Sequence, residues 1–142
     1  MLVVDDNEIN VRLVRHVLEA RGFEVEAAMS GVEALAAIER RRPDLVILDI
    51  MMPGLSGLEV LDRLRSNPRQ ASIPVIMLTA RSSDQDVLAG YQSGADYFIA
   101  KPLVPRQLLY GVGLVLGREF ADARRPDGGP PPPRRETGPR SS

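Results

Sequence analysis

Over the first 120 residues, short apolar runs alternate with segments whose apolar positions recur every three or four residues. Leu2-Val3-Val4, Leu45-Val46-Ile47-Leu48 and Val75-Ile76-Met77-Leu78 are continuous apolar runs of strand length, the form taken by strands of a parallel sheet covered on both faces. Phe23 to Ala28 alternates in the manner of a strand near a sheet edge, and Tyr97-Phe98-Ile99 makes a fifth short run. From about Asn7 to Arg21, Ile9, Leu13, Val14, Val17 and Leu18 keep helical spacing, and Gly22 stands where a helix commonly stops. Ser30 and Glu33 offer a capping box for a helix carrying Leu35 and Ile38, and Ser56 and Glu59 offer another for a helix through Leu61 and Leu64. A further helix is expected from about Ser83 to Ser93, ending at Gly94. Pro105 is placed to open the last one, which carries Leu108, Leu109, Val112, Val115 and Leu116. Five βα units follow, and the expected fold is α/β with a doubly wound five-stranded parallel sheet.

The pattern stops at Phe120. Residues 126–142 hold six of the twelve prolines, with Gly128-Gly129 and a four-proline run, and five arginines lie between Arg124 and Arg140. Such a stretch buries too little apolar surface to order itself, so the chain divides into a domain over residues 1–120 and a disordered tail or linker remnant over 121–142. The chain starts almost directly in its first strand, and its start is expected to be slightly trimmed. A formal net charge of -1 supplies no global basic field, so direct nucleic-acid binding by the domain is not expected. The absence of cysteine excludes a disulfide framework and a thiolate site and fits a cytoplasmic protein. No apolar run reaches the roughly 20 residues needed to span a bilayer.

Four of the five predicted strands deliver a polar group to the carboxyl end, where open parallel sheets bind ligands. Asp5 and Asp6 follow the first strand, Asp49 the third, Thr79 the fourth and Lys101 the fifth. Three carboxylates drawn together repel one another unless a cation sits among them, and hard oxygen ligands suit Mg²⁺ or Mn²⁺. The same set suits phosphoryl transfer. Asp49 is a carboxylate nucleophile that needs no general base, Lys101 can pair with a phosphoryl oxygen and Thr79 can hydrogen-bond another. The one histidine, His16, reads as an ordinary helix residue. No Gly-x-Gly-x-x-Gly or Walker loop is present, so no organic cofactor is expected, and Gly54 and Gly57 read as turn residues.

Asp5-Asp6, the segment Leu48-Asp49-Ile50-Met51-Met52-Pro53-Gly54-Leu55-Ser56-Gly57, Thr79-Ala80 and the segment Gly94 to Pro102 stand in the order and spacing of one family. On these motifs, residues 2–120 resemble the response-regulator receiver domains of two-component signalling, the CheY-like family. The resemblance implies a flavodoxin-like (βα)5 fold and phosphorylation of Asp49 by a histidine kinase or histidine phosphotransfer protein. It implies direct metal ligation by Asp6, Asp49 and the main-chain carbonyl of Met51, with Asp5 acting through water, and a cis Lys101-Pro102 peptide. Thr79 and Phe98 fall at its switch positions. Phe98 lacks a hydroxyl, so switching there would be a packing change, while a core ring at a strand end is the plain alternative. Tyr97 departs from the acidic or small residue common in relatives. Met51 and Arg81 fall where the family tunes the lifetime of the acyl phosphate, and an apolar Met51 cannot orient an attacking water.

The expected function is therefore that of a phospho-acceptor rather than an enzyme, with only self-directed phosphoryl transfer and slow autodephosphorylation. Its output would pass to a downstream protein partner or effector domain through the last two helices and the strand between them, with the chain a monomer or weak homodimer. A phosphorylation-independent docking module and a metal-dependent phosphatase or hydrolase are the rival readings.

Overall fold

The computed structural model describes residues 1–79, 94–118 and 120. The helix expected at 83–93, Ala80 and Arg81, and the tail all lie outside the described residues. Among the described residues nine elements follow in order: β1 (Leu2–Val4), α1 (Glu8–Glu19), β2 (Glu26–Ala28), α2 (Gly31–Arg40), β3 (Val46–Asp49), α3 (Gly57–Ser66), β4 (Val75–Thr79), β5 (Tyr97–Ala100) and α4 (Pro105–Leu116). All strand pairings are parallel, in the order β2-β1-β3-β4-β5.

Alternation along the strands divides the core between the two faces of the sheet. Val4, Leu48, Met77 and Phe98 pack with residues of α2 and α3, including Ala34, Ile38, Val60 and Leu64. Val3, Ile47, Ile76, Leu78, Tyr97 and Ile99 pack on the opposite face with Val14 and Leu18 of α1 and Leu108 and Val112 of α4. A sheet covered on both faces must be apolar at every strand position, which is why β1, β3 and β4 read as unbroken runs.

Helix starts follow the local chemistry. Asn7 caps α1 by accepting from the Ile9 and Asn10 N–H groups at 2.9 and 3.3 Å. Ser56 accepts from the Glu59 N–H while the Glu59 carboxylate accepts from the Ser56 N–H, a complete capping box on α3. At α2 only half of the expected box forms. Ser30 accepts from the Glu33 N–H, and the Glu33 carboxylate takes the Ser30 hydroxyl at 3.4 Å. β2 is shorter than its alternation predicts, because Phe23 stands outside the ladder and packs edge-on against Phe120, 6.0 Å between ring centroids. None of the described helices is long and apolar enough to cross a membrane.

Candidate functional site

The carboxyl ends of β1, β3 and β4 and the residue after β5 converge on one acidic cluster. Asp5 follows β1 and is fully buried, at 0% exposure. Its Oδ1 accepts from the Asn7 N–H at 2.9 Å and its Oδ2 from the Asn10 side-chain amide at 3.1 Å. Asp49 ends β3 at 2% exposure, and its Oδ1 accepts from the Met51 N–H at 3.2 Å. The Lys101 ammonium bridges the two carboxylates, 3.3 Å from Asp5 Oδ2 and 3.2 Å from Asp49 Oδ2. Asp6 is exposed, at the open side of the cluster.

The parallel ladder sets these positions. Asp49 lies beside Leu78 in the register of β3 and β4, so Thr79, buried, stands one residue further along the neighbouring strand. The Lys101 N–H donates to the Thr79 carbonyl at 2.7 Å, which carries the ladder past β5, and Lys101-Pro102 is a cis peptide. From the other side α3 closes on the site through Gly57. A Cβ at that position would overlap the Asp49 carbonyl oxygen and stand 2.8 Å from the Ile50 Cα.

Burial and the nearby Asp5 charge disfavour the ionised form of Asp49, and Lys101 only partly offsets them, so its carboxyl is pushed up to about 6 from 3.8. Among the described residues one ammonium faces three carboxylates and does not neutralise them. Asp5, Asp6 and Asp49 each offer an oxygen, and the three lie within 4.8 Å of one another. An all-oxygen, acid-rich set with one exposed member fits a hard divalent cation that keeps some of its waters, such as Mg²⁺ or Mn²⁺.

Asp5, Asp6, Asp49 and Lys101 are thus brought together, with Thr79 placed beside them by register. The Met51 side chain is 72% exposed, outside the cluster. Phe98 is buried among the residues that pack toward α2 and α3. His16 sits exposed on α1, away from the acidic loops. Gly54 is a turn residue with φ +75, as expected, whereas Gly57 is the first residue of α3 and serves a close approach. Sequence reasoning missed Asn10. Its one signal was position, since the first turn of a helix that starts beside Asp5 points a side chain back toward that carboxylate.

Residues 1–112 match the response regulator receiver domain family. The chain belongs to that family. The receiver is 43% identical over 116 residues to the phosphate regulon transcriptional regulatory protein PhoB of Rhizobium meliloti, covering 82% of this chain and 51% of PhoB. It is 40% identical over 118 residues to the DNA-binding response regulator MtrA of Mycobacterium tuberculosis, covering 83% of this chain and 50% of MtrA. The chain spans about half the length of these curated relatives. Among solved structures, a putative response regulator from Chloroflexus aurantiacus superposes with a TM-score of 0.78 at 38% identity, covering 82% of this chain and 96% of that one. The chemotaxis protein CheY4 of Vibrio cholerae does so with a TM-score of 0.77 at 35% identity, covering 80% and 95%. The sheet order and two-faced core are those of a flavodoxin-like receiver, and the chain is a receiver domain of two-component signalling.

Proposed function

We propose that this receiver accepts a phosphoryl group on Asp49 and passes the resulting state to a protein partner. The observation that carries the reading is the Lys101 ammonium bridging two buried carboxylates at the mouth of the sheet. Asp6, Asp49 and the Met51 main-chain carbonyl would hold Mg²⁺ or Mn²⁺, with Asp5 acting through water. Such an ion supplies positive charge against the incoming phosphoryl oxygens. An Asp49 oxygen attacks phosphorus, the phosphorus–nitrogen bond of a phosphohistidine donor breaks, and the imidazole nitrogen leaves with the electron pair. Lys101 then pairs with a phosphoryl oxygen and Thr79 hydrogen-bonds another. The donor class is a histidine kinase or histidine phosphotransfer protein.

Signalling, rather than turnover of an external substrate, is the role. The rise in charge at Asp49 draws Thr79 and Lys101 inward and biases the face formed by β5 and α4. That face suits a protein partner, because α4 carries no charged residue from Gln107 to Gly117 and exposes Leu114 at 42%. Residues 1–120 form the receiver unit and 121–142 a linker toward a downstream effector, in keeping with the longer relatives.

Intact mass after incubation with Mg²⁺ and acetyl phosphate tests the reading, beside an Asp49→Ala control. One phosphoryl group is expected on the parent chain and none on the variant. No addition from acetyl phosphate or phosphoramidate would overturn it in favour of phosphorylation-independent docking.

A further inference from the structure

The two oxygens of Asp5 are engaged by three donors. Oδ1 accepts from the Asn7 N–H, whereas Oδ2 has two claimants, the Asn10 amide at 3.1 Å and the Lys101 ammonium at 3.3 Å. Lys101 is shared in turn with Asp49. A buried carboxylate that loses a donor is costly to leave unpaired, so a lysine that was the sole donor to Oδ2 would be held there. The second donor changes this balance. Asn10 is anchored in the first turn of α1, its own N–H tied to the Asn7 side chain, so its amide approaches Asp5 from a rigid element.

We propose that Asn10 is a positioning residue. Its amide fixes the Asp5 carboxylate beside Asp6 and Asp49, and it keeps Oδ2 satisfied when Lys101 turns toward a phosphoryl group on Asp49. The inference rests on the phospho-acceptor reading above and adds to it a residue outside the carboxylate, threonine and lysine set. Without the Asn10 amide, Asp5 is held less firmly, by the Asn7 N–H and Lys101, and pulls Lys101 more strongly to itself. Cation binding and phosphoryl acceptance both weaken. Partners that orient a site's own ligands typically govern affinity or activity by about 10–100-fold.

The test compares the parent chain, Asn10→Ala, Asp5→Ala and the double variant by two readouts. One is Mn²⁺ affinity, from the free-ion electron paramagnetic resonance signal, and the other is the initial rate of labelling by acetyl phosphate. Alanine is the better helix former, so Asn10→Ala leaves α1 intact, which circular dichroism verifies. Asn10→Ala is expected to weaken Mn²⁺ binding and slow labelling by about tenfold each in the presence of Asp5, and to add no loss in its absence. Equal losses on both backgrounds would mark a structural role and overturn the proposal. So would an Asn10→Ala protein within twofold of the parent in both readouts. A parent chain that takes neither Mn²⁺ nor phosphoryl groups would instead bring down the acidic-site reading, and the positioning role with it.

Discussion

Asp49 is held in a state of electrostatic tension when no cation is bound. Its carboxyl is pushed up to about 6 from 3.8, first by burial and then by Asp5, so between these values the folded chain binds more proton than the unfolded one. Stability therefore falls as pH rises from about 4 to about 6, and the cost persists above that range. Asp49→Asn keeps the shape and an acceptor oxygen but removes the charge. In chelator-treated protein, thermal melts should show Asp49→Asn clearly more stable at pH 7.5, with the gap closing toward pH 4.5. A gap that stays constant across that range would contradict this account. Met51 bears on the opposite end of the cycle. Its exposed thioether offers a water no hydrogen bond of the strength that a carboxylate or amide gives, so the acyl phosphate should outlast seconds. Met51→Asn should shorten its lifetime several-fold, as followed by loss of the phosphoryl mass.

At the scale of elements, the loop that follows Asp49, between β3 and α3, is bounded on its far side by the capping box. The Ser56 N–H and hydroxyl hold the Glu59 carboxylate below its usual range, and the box satisfies donors that the helix start would otherwise leave open. Ser56→Ala should cost about 1 kcal/mol, a drop of about 4 °C in Tm, whereas Glu59→Gln preserves an acceptor and should cost less. Chemical denaturation of the three proteins checks the order. These caps were legible in the sequence because serine followed three residues later by glutamate has a local meaning. The strands and their terminal polar residues were equally legible, since an apolar run that ends in Asp49 or Thr79 states where burial stops. Asn10 and Gly57 were not, because what each does depends on a neighbour remote in the pattern: a carboxylate on the preceding loop for one, a backbone carbonyl of β3 for the other. Phe23 misled for a similar reason. It alternates like a strand residue, yet a ring near the far end of the chain claims it.

That pairing also organises the whole molecule. The Arg118 guanidinium lies over the Phe23 and Phe120 rings at 5.2 and 5.6 Å, tying the segment after α4 to the turn between α1 and β2. These contacts support the proposed receiver unit that runs through Phe120. A chain ending at Phe120 should melt and accept phosphoryl groups as the full chain does, while one ending at Gly117 should lose about 2 kcal/mol through the missing ring and guanidinium contacts. Differential scanning calorimetry of the two truncations decides where the unit ends. A destabilised Phe120 chain would mean that the Pro- and Arg-rich tail contributes to the fold.

Gly57 has a bearing on how function is inferred for such domains. Because the Asp49 carbonyl occupies the space of its missing side chain, every other amino acid at that position would disturb the backbone of the proposed phospho-acceptor. A saturation library scored for signalling would therefore show position 57 as intolerant as Asp49 itself, although glycine has no side chain to offer the reaction. Intolerance in such a map would record steric exclusion at one site and chemistry at the other, and only a stability readout run in parallel would separate them.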